Sequence, residues 1–421
     1  VPVSTVSGFG IEKLRTEIKA LSADFRPRSS IGNFRMTIDR AFQMHGTGLV
    51  VTGTVSSGTV SNGDRLKLMP SGQEVRVRTI HAQNKARHKG TAGQRLGLNV
   101  TGTKLDTQFS GRGNWLVSGA LNAPTQCFDA EVFLRGIESN SLKTWTNVHL
   151  HIGTAQLMAR LRPIDEEELE PGSKGFAQLI LKHPISALFG DRFILRNASA
   201  DRIIGGGRVV DPFAEKRGRR QRERALRLAA LDNPETANAL RALLTVSPGG
   251  VDISSFVLAR NLVAKDTEQL FRNIPMHRVT TNHRDTAYGP ERWKAMAKTI
   301  LQTLEKASGS GSDEPGLNLA MLSHAIGQEL SRGTVSLLID ELVIDGRVTF
   351  DGQYVRLPGQ MRSLSLEDAV TTKRVIEALK KRTSSSPAMG PLADQLAIDP
   401  TRLLRVLRRV EGEKTVVAVA A

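Results

Sequence analysis

Between Phe34 and Met69 the chain alternates apolar and polar residues with the period of a β-strand. Phe34, Met36 and Ile38 share one face, and the runs at 49–54 and 65–68 are β-branched or apolar. Gly46, Gly48, Gly53, Gly58 and Gly63 punctuate the stretch, and Asn62-Gly63-Asp64 is a strong turn signal. The pattern predicts two β-hairpins in succession, opening an antiparallel barrel. Strict alternation through 74–81 and an apolar run at 96–100 continue it. A second all-β stretch runs from about residue 125 to residue 212. Its predicted strands are 128–134, 147–152, 155–161, 175–181 and 192–195, with turn signals at Pro171-Gly172 and Gly205-Gly206-Gly207.

The period then changes. Near the N-terminus Ile11, Leu14, Ile18 and Leu21 already show a helical spacing, and from Leu226 onward the chain reads as mostly helical with short β ends. Three segments repeat one order of helices, turn, longer helix and two short strands: about 222–288, 289–357 and 366 to the end. The first has strands near 276–280. The second has helices at 319–326 and 332–345, then strands at 348–350 and 354–357 around the Asp351-Gly352 turn. The third has helices at 372–382, 392–396 and 400–410, then one strand at 415–419. Each segment matches a winged helix, a helix-turn-helix followed by a β wing. Gly- and Ser-rich loops are expected at 305–315 and 383–391.

Composition narrows the class of partner. The 421 residues carry 58 Lys and Arg against 42 Asp and Glu, a formal charge of +16 that favours a polyanionic partner. The single cysteine, Cys127, excludes an intrachain disulfide framework and a Cys-rich zinc site, and is compatible with a reducing cytosol. No stretch approaches the roughly 18 apolar residues of a membrane span. Lys216, Arg217, Arg219, Arg220, Arg222, Arg224 and Arg227 crowd one linker, either as a solvated helix start or as a phosphate-contacting patch. Arg402, Arg405 and Arg409 recur on one predicted helix face, either solvated or suited to a nucleic-acid backbone. With aromatics at 5%, base stacking is not favoured, and backbone and shape contacts to a folded RNA are more plausible.

Specific strings carry a resemblance. VVTGTV after a G-x-G turn resembles the second domain of translation elongation GTPases. HAQN at 81–84 and AGQRLGLNVTG at 92–102 narrow this to the selenocysteine-specific elongation factor SelB, of bacterial type. HPISALFGDRFILRN and RIIGGGRVVDP are similar to that family's third domain, and the tandem winged helices are a second mark. The fold expected is multidomain: two elongation-factor-type β-barrels followed by tandem winged-helix domains. The boundaries expected are 1–25 for the end of a GTPase domain, 26–121 and 122–214 for the barrels, and 215–288, 289–360 and 361–421 for three winged helices, the last incomplete. The resemblance also implies that the chain begins inside a longer protein and lacks most of the GTPase domain and the last winged helix.

Val1 to Gly10 looks like the last guanine-contacting turn of such a domain, with Ser4 as the nucleotide-binding remnant. The family is a GTPase that uses GTP and Mg²⁺. This sequence has no G-x-x-x-x-G-K-[ST] loop, and Asn84-Lys85-Ala86-Arg87 lacks the final carboxylate of a guanine reader. The chain is therefore expected to hold no cofactor and to be inactive as an enzyme by itself.

The resemblance places Asp39, His81 and Arg95 at the pocket for the aminoacyl end of a tRNA, with His45 as a weaker candidate there or for contact with the tRNA acceptor. A cysteine thiol, titrating near about 8.5, is mostly neutral at pH 7. A selenol is a markedly stronger acid and arrives as an anion. An arginine with a histidine beside it would favour that anion over a neutral Ser or Cys side chain, with Asp39 orienting one cation. The other reading is that Arg95 merely pairs with Asp39 on the barrel rim. The partners implied are selenocysteyl-tRNA, a selenoprotein mRNA hairpin and the ribosome, for a monomeric cytoplasmic protein. The alternatives are a general translation-factor GTPase relative or a winged-helix DNA-binding regulator.

Overall fold

Two closed β-barrels follow one another in the first half of the chain. The computed structural model describes residues 1–23, 30–46, 48–103, 111–164, 166–216, 222–281, 284–309, 316–326, 330–358, 366–380, 389–401, 403, 404 and 407. Ahead of the barrels, the helix Ile11–Ala23 has the predicted apolar spacing and no buried residue.

The first barrel is built from β1 (Arg35–Met44), β2 (Gly48–Ser57), β3 (Thr59–Ser61), β4 (Arg65–Met69), β5 (Gln73–Ala82), β6 (Lys85–Arg87), β7 (Lys89–Thr91), β8 (Arg95–Thr101) and β9 (Trp115–Ser118). The sheet runs β4-β9-β1-β2-β8-β5 and closes where β4 pairs with β5. Alternation puts Met36, Ile38, Val51, Val55, Leu96 and Leu98 inside. The first predicted hairpin is β1–β2. The second does not form, because β3 pairs with β7 while β4 pairs with β5 and β9. The Asn62-Gly63-Asp64 turn redirects the chain instead: the Gly63 amide donates to the Val77 carbonyl at 2.8 Å, and Asp64 Oδ2 accepts the Ser61 amide at 2.7 Å.

The second barrel comprises β10 (Thr125–Leu134), β11 (Leu142–Lys143), β12 (Thr146–Ile152), β13 (Ala155–Pro163), β14 (Glu168–Leu169), β15 (Lys174–Ile185), β16 (Arg192–Arg196) and β17 (Ile203–Asp211). It closes in the order β10-β15-β13-β12-β16-β17. The five strands predicted here all form. β17 was hidden because its centre, Gly205-Gly206-Gly207, reads as a turn. These glycines are a packing requirement. A Cβ at Gly207 would lie 2.0 Å from the Glu131 carbonyl oxygen, and one at Gly205 would lie 2.2 Å from that of Phe133. Gly207→Ala is therefore expected to destabilise the barrel by about 1–3 kcal/mol, measured as a lowered urea midpoint, with an unchanged midpoint refuting the steric account.

Arg35 joins the barrels. It is 4% exposed, lies 3.8 Å from the Trp115 ring centroid, and donates to both Asp191 carboxylate oxygens at 2.7 and 2.6 Å. Met69, Trp115, Val117, Leu121 and Leu188 pack around the same junction.

The helices Arg222–Leu231, Thr236–Val246, Ile253–Ala259 and Ala264–Arg272 come next, with β18 (Val251–Asp252), β19 (His277–Thr280) and β20 (Asp285–Tyr288) in the order β18-β20-β19. Their core, which includes Leu240, Leu243 and Phe256, takes in Ile164 and Val210 of the second barrel. The Asp252 side chain caps the third of these helices by accepting the Ser255 amide at 3.0 Å.

The remaining residues belong mainly to a second compact unit. Its helices are Pro290–Gly309, Leu319–Ile326, Arg332–Ile344, Leu366–Lys380 and Met389–Leu396, with a two-stranded pairing of Thr349–Phe350 and Val355–Arg356. The first helix continues through 305–309, where the loop 305–315 was predicted; residues 310–315 of that loop lie outside the described residues, as do the strand predicted at 415–419 and most of the loop at 383–391. Ser331 caps the third helix, accepting the Thr334 amide at 3.2 Å.

Candidate functional site

A local irregularity in β1 sets the geometry of the first barrel's outer face. The β1–β2 register shifts between Ile38 and Arg40, which makes Asp39 a bulge residue. Its carboxylate meets Thr52 and Arg95. Arg95 Nη2 donates to Asp39 Oδ1 at 2.9 Å and Oδ2 at 3.0 Å, and Nε donates to Oδ2 at 3.2 Å. The Thr52 hydroxyl donates to Asp39 Oδ1 at 2.6 Å and accepts from Arg95 Nη2 at 3.2 Å. The Arg95 side chain remains 56% exposed, so the pair adds at most about 1 kcal/mol of stability. Its consequence is placement: a fork held by a carboxylate and a hydroxyl holds the guanidinium plane.

His81 is brought near by strand register. Gly97 of β8 lies opposite Thr52 of β2 on one side and opposite His81 of β5 on the other. Arg95 is two residues from Gly97 on the same strand, so Arg95 and His81 are diagonal neighbours, with a spacing of about 7–8 Å. Gly97 keeps the space between them open. A Cβ there would meet Thr52 Cγ2 at 3.8 Å and His81 Cβ at 3.9 Å, both ordinary contacts.

The result is an open cavity of about 1250 Å³ lined by Thr52, His81, Arg87, Lys89, Arg95 and Gly97 among others, with Phe42 and Met44 on the hairpin side. Among the described residues no Asp or Glu lines it; Asp39 stands behind Arg95. A cleft with cations on its wall and a few apolar side chains suits an anionic group on a larger ligand. Gln83 and Asn84 form the adjoining β5–β6 turn with φ of 52° and 59°, the two left-handed residues of a type I′ hairpin.

The structure thus brings together Asp39, His81 and Arg95. His45 lies exposed in the β1–β2 turn, outside the cavity wall. Ser4 spends its groups within its own turn: its amide donates to the Phe9 carbonyl at 3.0 Å, and its hydroxyl accepts the Ser7 amide at 3.3 Å. Arg217, Arg219, Arg220, Arg402, Arg405 and Arg409 lie outside the described residues. Arg224, from the same basic linker, is not a surface cation; its side chain is 11% exposed and paired with Asp129. Sequence reasoning missed Thr52, Arg87 and Lys89. Inward-facing Leu49, Val51, Gly53 and Val55 imply that Thr52 faces outward, yet its partner depends on the bulge.

The sequence has no phosphate-binding loop, and among the described residues no group of three or more His, Cys, Asp or Glu could hold a metal ion.

Known proteins resemble this chain over both barrels. Residues 48–117 match elongation factor Tu domain 2, and residues 130–216 match the β-barrel domain of the selenocysteine-specific elongation factor. The selenocysteine-specific elongation factor of Desulfomicrobium baculatum is 29% identical over 88% of this chain and 58% of its own length. That of Escherichia coli (strain K12) is 30% identical over 86% of this chain and 56% of its own. The crystal structure of a bacterial selenocysteine-specific elongation factor shares the fold, with a TM-score of 0.63 at 17% identity, over 98% of this chain and 73% of that one. The paired barrels resemble those of a translation elongation factor. Among such factors, the relatives that match most of this chain are selenocysteine-specific ones. The chain spans less than two thirds of the length of these curated relatives.

Proposed function

We propose that this chain is the tRNA-handling part of a selenocysteine-specific elongation factor, and that the cleft on the first barrel receives the selenocysteyl end of the tRNA. The observation that carries this reading is the Asp39–Arg95 fork with His81 diagonal to it, on a wall where no described residue is an Asp or Glu. A selenolate placed between the two side chains meets a fixed guanidinium and an imidazole. A seryl hydroxyl in the same place carries no charge and gains much less. His45 is assigned to the tRNA acceptor.

The domains assigned are 1–25 to a GTPase-domain end containing Ser4, 26–121 and 122–214 to the barrels, and 215–288, 289–360 and 361–421 to winged helices. The helical segments and short strands support the last three. Those winged helices, with Arg217, Arg219, Arg220, Arg402, Arg405 and Arg409, are assigned to RNA, including a selenoprotein mRNA hairpin at the ribosome. GTP and Mg²⁺ belong to the intact factor, which works as a cytoplasmic monomer. Among the described residues no helix is long and apolar enough to cross a membrane.

The direct test is competition. The chain joined to a GTPase domain of its family is expected to prefer selenocysteyl-tRNA over seryl-tRNA by about a hundredfold or more, equivalent to about 2.8 kcal/mol. Equal affinities would remove the reading. A companion prediction concerns Gly97, whose open slot accommodates the ligand atom. Gly97→Val is expected to leave the barrel's thermal midpoint within a few degrees while weakening selenocysteyl-tRNA binding roughly tenfold or more. Unchanged binding would show that the slot is not entered.

A further inference from the structure

The two-residue turn between β12 and β13, Gly153-Thr154, belongs to the second barrel but is seated against the first. Gly153 has a φ of +58°, and a Cβ there would lie 2.8 Å from Trp115 Cζ2 and 3.1 Å from Thr37 Cγ2. Glycine lets the turn come this close. The approach delivers the Thr154 hydroxyl to one backbone carbonyl, that of Ile38, to which it donates at 2.7 Å. Ile38 immediately precedes Asp39.

The ladder explains why that carbonyl needs a donor. β1 pairs with β9 as far as Thr37 opposite Trp115. Beyond it the Ile38 amide still donates to the Asn114 carbonyl at 2.9 Å. In an antiparallel strand the carbonyl of a residue points to the same side as its amide, here toward the departing 111–114 loop. Ile38 is 0% exposed, so its carbonyl oxygen has to find a partner within the protein. The Thr154 hydroxyl fills the gap, accepting the Gly113 amide at 3.1 Å while donating to Ile38. A hydroxyl thus stands between two backbone groups of adjacent segments. On the other edge of β1, the register with β2 shifts between Ile38 and Arg40. Spread on one side and shifted on the other, β1 turns Asp39 toward Arg95. The Arg35–Asp191 pair and the packing of Trp115 and Leu188 also join the barrels, but Thr154 differs from them in ending on the backbone beside the bulge.

We propose that, in a cleft that receives the selenocysteyl end of the tRNA, Thr154 is a positioning residue: through its hydroxyl the second barrel fixes the β1 backbone that aims Asp39 at Arg95. Without the hydroxyl, the Ile38 carbonyl and the Gly113 amide lose their shared partner. The backbone at 38–39 then shifts to recover hydrogen bonds, and the carboxylate leaves the fork.

Thr154→Val keeps the β-branched shape and removes the donor. In the full chain labelled with ¹⁵N-arginine, the Arg95 Nε–H, which donates to Asp39 Oδ2 at 3.2 Å, reports the fork directly. Its exchange with solvent is expected to be roughly fivefold or more faster in Thr154→Val, with Thr154→Ser restoring the wild-type rate. Joined to a GTPase domain of its family, the valine variant should bind selenocysteyl-tRNA roughly fivefold or more weakly, bind seryl-tRNA as before, and keep its thermal midpoint within a few degrees. A merely structural contact would weaken both tRNAs together. Thr154→Ala removes the same hydroxyl without adding a methyl and should give the same losses, so a folding defect peculiar to valine leaves the test intact. Unchanged Arg95 exchange in the valine and alanine variants, or an equal loss for both tRNAs, overturns the proposal. A wild type that binds both tRNAs equally would instead remove the assignment of the cleft, while the Arg95 exchange still decides whether Thr154 holds the fork.

Discussion

Arg95→Asn is expected to erase discrimination between selenocysteyl-tRNA and seryl-tRNA. The wild-type guanidinium is held by Asp39 and Thr52 with one edge toward the cleft. A hydrogen bond to a charged group is worth about 1.5–3 kcal/mol, so its loss lowers affinity for the anion roughly tenfold to more than a hundredfold. Seryl-tRNA has no anion at that atom and should bind about as before. Stability should change little, because the Asp39–Arg95 pair is largely solvated. Affinities measured for the chain joined to a GTPase domain give the ratio directly. A ratio unchanged in the variant would return Arg95 to the role of a rim salt bridge.

The second large effect lies in the other barrel. Asp129→Asn is expected to destabilise the protein by about 3–5 kcal/mol, because it leaves the Arg224 guanidinium buried without its counter-charge. Asp129 of β10 is 2% exposed and accepts from Arg224 Nε at 2.9 Å and Nη2 at 2.8 and 2.7 Å. Gln178 Nε2 donates to it at 3.1 Å. Arg224 belongs to the helix Arg222–Leu231, so the pair ties that helix to the barrel. The double variant Asp129→Asn, Arg224→Met should recover much of the loss, since the orphaned charge goes with it. A single variant that melts with the wild type would refute the account.

Both barrels were legible because a closed sheet imposes a period of two on its strands, and the apolar halves of 34–38, 74–81, 128–134 and 147–152 display it. Short strands such as β3, β6 and β7 were not legible, since three residues carry no periodicity and form only because partners are near. β17 was masked by three glycines whose small size matters for contact with neighbouring carbonyls.

The site divides along the same line. Asp39, His81 and Arg95 could be named from strings of residues, because a strand, a turn and another strand impose local order. Whether they meet depended on a one-residue bulge at Asp39 and on the register that sets Gly97 between Thr52 and His81. A register shift of one residue turns a side chain to the opposite face, and composition does not encode that shift. Arg224 shows the converse. By its neighbours it belonged to a basic surface patch, yet packing of a helix on the second barrel buried it against Asp129. By itself the sequence determined which stretches become strands and helices and which chemical groups are present. The tertiary structure decided which of those groups face one another and which of the charges remain in water, because both depend on closing the barrels and on what packs against them.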